Sequence, residues 1–234
     1  MLAIQKDILK KRKPARAKTL QRFFKTGPGG YAEGDIFLGL TVPESRLIAK
    51  KYKDLPLKEV SVLVKSPHHE ERLIGLLILV SQFPKSSEEV QEKIYKFYLK
   101  HTKYINNWDL VDSSAEYIVG AFLYNRDRKI LQKLAKSKSL WERRIAMLST
   151  FHFIKKGEVK DTFKIAELLM KDRHDLIHKA SGWMLREAGK RVSEKDLRQF
   201  LDRYAAQMPR TMLRYAIERL PKEDRLRYLS LKSN

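Results

Sequence analysis

The sequence predicts an all-α fold, an α-solenoid in which antiparallel helix pairs stack into a superhelix with a concave basic groove. Three observations carry this expectation. Apolar residues recur at three- and four-residue spacing almost everywhere after Pro43. Strand signals are nearly absent from the same region. Helix openings of one kind, a basic residue followed by an apolar run, recur at Arg72 (RLIGLL), Arg144 (RIAML), Lys179 (KASGWML) and Arg214 (RYAIERL). The last three are 35 residues apart, and Arg72 to Arg144 is twice 36. A period near 35 with two helices per unit is the pattern of stacked repeats, each burying its apolar face against its neighbours. An irregular helical bundle is the alternative. In a stack, equivalent positions line the concave surface, and a row of Arg and Lys there is a track for a phosphate backbone.

The N-terminal section, residues 1–42, differs from the rest of the chain. Residues 1–26 hold nine Lys or Arg and one acid, which reads as basic helices. FFKTGPGGYAEGDIFLGLTV then places five glycines between two short apolar runs and predicts one short β-hairpin or an ordered loop. Such an element is either a basic flap against DNA or a turn joining two helices. It lacks G-x-x-x-x-G-K-[ST], so it is not expected to cradle a nucleotide phosphate. TVPESRLIAKKY opens the helical region with a Thr that can cap and a Pro in the first turn. PHHEERLIGLLILVSQF, SSEEVQEKIYKFYLKHTKYI, LWERRIAMLSTFHFI, DTFKIAELLMK, LIHKASGWMLREAGK and DLRQFLDRYAAQM continue at helical period. SPHH, FPKSSEE, KSKS, KDRHD, RVSEKD and MPRT break them. Residues 1–234 are read as a single domain.

Composition bounds the partners. The chain has 49 Lys and Arg against 28 Asp and Glu, a formal charge of +21, so a phosphate-rich partner is expected, nucleic acid before membrane. Hydrophobic residues at 43% exclude a disordered basic tail. The absence of cysteine removes disulfides, zinc ribbons and thiol chemistry, and fits a reducing cytosol. The basic start MLAIQKDILKKRKPARAK lacks the apolar core of a signal peptide, and the longest apolar run, LIGLLILV, is too short for a bilayer. The expectation is a cytoplasmic monomer, nucleoid-associated when bound, whose partner is double-stranded or branched DNA. No membrane, metal or small-molecule cofactor is expected.

One stretch stands apart from this charge. From Ile105 to Leu123 there is no basic residue, yet Asp109, Asp112 and Glu116 fall inside the run. In INNWDLVDSS, Asn106 or Asn107 can cap a helix, and early acids suit its positive end. Trp108 and Asp112 are four apart and share a helix face. Val111, Ala115, Ile118, Val119 and Phe122 form the buried stripe, which leaves Asp112 at its edge. In the plainer reading Trp108 is core and both aspartates only improve the helix start. In the sharper one the repeats superpose, and Trp108, Asp112, Arg144 and Trp183 face one cavity. A carboxylate between two indole faces suits a cation or a developing positive charge. Breaking an N-glycosidic bond creates such a species, and a carboxylate can also hold the attacking water. Arg144 would then meet the flanking phosphate. Elsewhere, His174 and His178 share a helix face but lack a carboxylate third ligand, so no metal is expected. His68 and His69 read as neutral or phosphate-facing residues at a helix start.

WDLVD (108–112), LWERRIAML (140–148) and IHKASGWMLRE (177–187) closely resemble, in order and separation, conserved blocks of the AlkD-type DNA alkylation repair proteins. These are HEAT-like-repeat DNA glycosylases that release cationic alkylpurines such as 3-methyladenine and 7-methylguanine. The resemblance runs from about Phe37 onward. It implies Asp112 as the catalytic carboxylate, Trp108 and Trp183 as cleft tryptophans, and Arg144 as the arginine on the DNA backbone. Lys179, Arg214, Arg143 and Arg186 join Arg144 as expected DNA contacts. The family also uses a tyrosine from an early helix, and Tyr31 lies near that place. It often carries a second tryptophan before the WD pair, where this chain has Asn107. Some relatives with an added basic hairpin bind branched DNA without excising bases, so a non-catalytic binder is the alternative function.

Overall fold

Helix starts obey the punctuation of the sequence. In the computed structural model, which describes residues 1–231, Thr41 caps a helix reciprocally with Glu44, whose carboxylate takes the Thr41 N–H at 2.7 Å. Ser139 and Ser193 cap two later helices by accepting from the amides of Glu142 and Asp196. The described residues divide into two compact units, 1–114 and from Ala115 onward. No strand forms among the described residues, and none of their helices is long and apolar enough to cross a membrane.

The first unit contains α1 (Ala3–Lys10), α2 (Pro14–Phe23), α3 (Val42–Lys51), α4 (Leu57–Val64), α5 (His69–Gln82), α6 (Glu88–Lys100) and α7 (Trp108–Asp112). Helices α3 and α4 pack on α5, and α7 meets α5 as well. Leu63, Ile74, Ile78 and Leu79 are fully buried there, each contributing about 1.5–3 kcal/mol by leaving water. α2 buries no residue; Lys13, just before it, and its Arg16 pair with Glu44.

Of the short β-hairpin and the ordered loop that the sequence allows, the hairpin does not form and the loop does. Between α2 and α3 the chain turns on itself, with Lys25, Gly29 and Gly34 at φ 54°, 73° and 78°. Several of its amides close locally, Gly30 to the Gly27 carbonyl, Glu33 to Gly30 and Asp35 to Ala32, in place of a strand ladder. The strand-like contact that exists is a parallel bridge from Ile36 to His68. Gly39 is required where it stands. Its φ is 92°, and a Cβ would lie 2.2 Å from the Lys13 carbonyl oxygen.

The second unit contains α8 (Ala121–Leu123), α9 (Lys129–Ala135), α10 (Leu140–Lys155), α11 (Lys160–Leu168), α12 (Asp175–Arg191), α13 (Glu194–Tyr204), α14 (Arg210–Ala216) and α15 (Lys222–Ser230). Helices α10, α12 and α14 begin at 140, 175 and 210, which reproduces the 35-residue period. They pack side by side, with α9, α11 and α13 against them as a second row, so the fold is one of helical repeats. Ile145, Ile177, Met184 and Met212 of the first row are fully buried. A π-helical segment, Glu116–Gly120, packs on α10 where the sequence suggests a regular helix. Gly182 lets α12 approach α14, since a Cβ would sit 2.4 Å from the Met212 carbonyl oxygen and 2.5 Å from Tyr215 Cβ. Gly182→Ala is therefore expected to cost about 1–3 kcal/mol in a denaturant melt.

Candidate functional site

The first turn of α5 reads His-Glu-Glu-Arg, and all four residues are buried. Each buried charge answers a different part of the first unit. Glu70 accepts three backbone N–H groups, from Leu38 at 2.8 Å, Gly39 at 2.7 Å and Leu40 at 3.1 Å. Glu71 takes Gln5 of α1 at 3.0 Å. Arg72, 4% exposed, donates to the carbonyls of Ser66 and Pro67 and to Asp35 Oδ1. His69 stands between two carboxylates, with Nδ1 2.9 Å from Asp35 Oδ2 and Nε2 2.8 Å from Asp109 Oδ2.

Carboxylates accept and do not donate, so both ring nitrogens of His69 carry protons and the ring is an imidazolium. Burial alone would push its pKa down. The hydrogen bonds to Asp109 and Asp35, with their charges, outweigh burial and raise it to about 9. For Asp35 burial works upward, but His69 and Arg72 hold the carboxyl below its ordinary value. His69 is thus a charged core residue, neither neutral nor phosphate-facing. Asp109 has the counter-ion that its own stretch of sequence lacks, and Glu116 in the second unit has one in Lys155 at 2.5 Å.

This raised pKa makes stability depend on pH with a definite sign. The unfolded imidazole titrates near 6.5 and the folded one near 9, so the folded chain holds the extra proton between these values. The contribution is complete below pH about 6.5 and is lost as pH rises through about 9. Burial holds His152 and His174 below their ordinary value, opposite in direction to His69. Denaturant melts across this pH range should therefore show unfolding free energy falling with pH.

The same imidazolium lies at the foot of an aromatic stack. Phe37 stacks on the His69 ring at 4.3 Å, Phe24 on Phe37 at 4.8 Å, and Trp108 on Phe24 at 5.2 Å. Phe23, 63% exposed, meets Trp108 edge-on at 6.2 Å. The Trp108 indole N–H donates to the Tyr31 hydroxyl at 3.2 Å, which brings together two residues 77 positions apart. Helix α7 is five residues long and is capped by the Asn107 side chain on the Trp108 amide. Asp112 ends it, half-buried like Trp108. The charge of Asp112 adds to the effect of burial in raising the pKa of Tyr98, whose hydroxyl meets Ser114 Oγ at 2.9 Å.

The sequence matches the family of DNA alkylation repair enzymes over residues 4–220. The chain belongs to this DNA alkylation repair family. A search of curated proteins returned no match. Among solved structures, one described as a predicted DNA alkylation repair enzyme from Enterococcus faecalis superposes with a TM-score of 0.67. It is 16% identical and the match covers 90% of this chain and 97% of that one, a likeness that speaks for the fold alone.

Membership of a DNA alkylation repair family makes DNA the partner, and it gives the basic residues of the second unit their interest. They are not equivalent. Arg144, 5% exposed, gives one guanidinium N–H to the Leu176 carbonyl. Arg143 is held by Asp172 and by the carbonyls of Ser137 and Lys138. Arg186 is paired with Glu218 and Glu187. Lys179 pairs with Asp175 at 2.7 Å but stays 42% exposed, and Arg214 is exposed. Trp183 is half-buried, with the Phe151 ring 5.8 Å away. Lys155 and Arg191 lie over that phenylalanine at 4.5 and 5.5 Å. His174 caps α12 through Nδ1, and His178 Nε2 meets the Asp172 carbonyl, so each has a structural task. In this DNA alkylation repair protein, sequence reasoning missed Phe23, Phe24, Asp35 and His69 around Trp108. The run of four charged residues opening an otherwise apolar helix, HEERLIGLLILV, was the available signal.

Proposed function

We propose that the chain is a monofunctional DNA glycosylase that hydrolyses the N-glycosidic bond of cationic N3- and N7-alkylpurines. The observation that carries this reading is α7, which bears Asp112 at its end and Trp108 at its start, with the indole oriented by Tyr31 and Phe24. An N7- or N3-alkylpurine is already positively charged. When its bond to C1′ breaks, the bonding pair goes to the base, which leaves neutral and needs no general acid. The positive charge passes to the sugar as an oxocarbenium ion. A carboxylate at that place stabilises the ion and orients a water, whose oxygen bonds C1′ while its proton leaves to the carboxylate or to solvent. One well-placed carboxylate is enough for such a substrate.

Duplex DNA is the expected substrate form, drawn by the formal charge of +21. In the second unit Arg144, Lys179 and Arg214 are assigned to the backbone, and Trp183 to a nucleotide. Arg143 and Arg186 are largely buried and would have to leave carboxylate partners to join them, whereas Arg214 is exposed and Lys179, though paired with Asp175, stays 42% exposed, so these two carry more of the assignment. The test is release of 7-methylguanine and 3-methyladenine from alkylated duplex DNA, measured beside affinity for a four-way junction. Release supports the glycosylase. Tight junction binding with no release would instead identify a non-catalytic binder of branched DNA.

A further inference from the structure

Two links run from the glycine-rich loop to α7 within the first unit. Tyr31 takes the Trp108 indole N–H, and Asp35 reaches Asp109 through the His69 ring. We propose that His69 is a positioning residue which, by donating from both ring nitrogens, locks that loop onto α7 and so presents Trp108 and Asp112 on a wall assembled before DNA arrives. The role in repair rests on reading α7 as the site of base release; the lock itself does not.

The geometry favours a lock over a merely buried ion pair. A five-residue helix is too short to hold its own direction in water, so α7 depends on what it is tied to. The amides at its start are answered locally, Trp108 by Asn107 and Leu110 by Asp109 Oδ1. The second oxygen of Asp109 is held by α5, a fourteen-residue helix rooted in the core. On the loop side Asp35 cannot swing away, because its other oxygen is held by Arg72. The charged groups facing the ring are Asp35 from the loop and Asp109 from α7, with Arg72 of α5 acting through Asp35. Phe24 and Phe37 supply the uncharged faces. A neutral imidazole has one donor and one acceptor, so it can satisfy one carboxylate and must turn a lone pair toward the other. Losing the second proton therefore breaks the lock at one end.

The test uses the full chain, with H69Q and H69N as variants. Each amide can reach one carboxylate and lacks the charge. Two readouts need neither DNA nor a lesion: the NMR signal of the Trp108 indole N–H, and the rate of tryptic cleavage after Lys25. In both variants the indole signal should shift or broaden and cleavage should quicken. Release of 7-methylguanine should fall about ten-fold or more in kcat, with KM and duplex affinity unchanged. In the unaltered protein the same indole and cleavage changes should appear as pH rises through the point at which the ring loses its proton. An unchanged indole signal and unchanged cleavage in both variants would overturn the proposal. If neither variant folds, the unaltered protein decides. A His69 ring that carries one N–H proton at neutral pH, or that titrates with no change at Trp108, overturns it equally. Absence of base release even in the unaltered protein would defeat the glycosylase reading and leave the lock to be judged by the two ligand-free readouts.

Discussion

Asp112→Asn is expected to lower base release from alkylated duplex DNA by at least about a hundred-fold while leaving duplex affinity nearly unchanged. The amide keeps the size and hydrogen-bonding shape of the side chain and removes its negative charge. Binding is driven by phosphates meeting a cationic protein, and one substitution among so many charges alters that little. Bond breaking is different on the proposed glycosylase reading, in which the positive charge passes from base to sugar beside this residue. Tyr98, whose hydroxyl is kept neutral by burial and by Asp112, stays neutral in the variant and keeps its contact with Ser114, so folding should hold. Single-turnover release compared with equilibrium binding separates the two effects. Equal release by the two proteins would remove Asp112 from the chemistry.

Asp35→Ala is expected to be the most damaging single change to stability in the first unit, costing about 3–5 kcal/mol. Asp35 is the shared partner of two buried cations, Arg72 and His69. His69 can respond by giving up its proton, but a guanidinium cannot, so Arg72 would be left charged in the core with carbonyl partners only. A paired replacement, Asp35→Ala with Arg72→Met, should recover part of the loss, because no uncompensated guanidinium is left in the core and His69 keeps Asp109 as its remaining partner. Equilibrium denaturation of the single and double variants measures this directly. A single-variant loss below about 1 kcal/mol would contradict a charged core built on Asp35.

Much of the second unit was legible in the sequence. The 35-residue spacing of Arg144, Lys179 and Arg214 marks the fifth residues of α10, α12 and α14, and the stripe Ala115, Ile118, Val119 and Phe122 is buried as expected. Capping by Thr41 was equally readable, since a cap acts within three residues of itself. In the first unit the same reasoning left two points open. Two apolar runs around glycines resemble a hairpin, but positive φ at Lys25, Gly29 and Gly34 turns the backbone away from strand pairing. Asp109 looked like a helix-start acid, and it does accept the Leu110 amide, but its second oxygen serves a histidine 40 positions away.

Helix boundaries and buried stripes depend on interactions between residues three or four apart, and the order of residues is sufficient to reveal them. That was enough to recognise the repeats and the WDLVD block. Which acids meet which bases was decided by the tertiary structure, which brings together Asp35, His69 and Asp109, separated by 34 and 40 positions. The charge state of His69 is a product of that meeting. An imidazole's affinity for a proton is set by the carboxylates within hydrogen-bond reach and by the loss of water around it, and neither exists until the chain has folded.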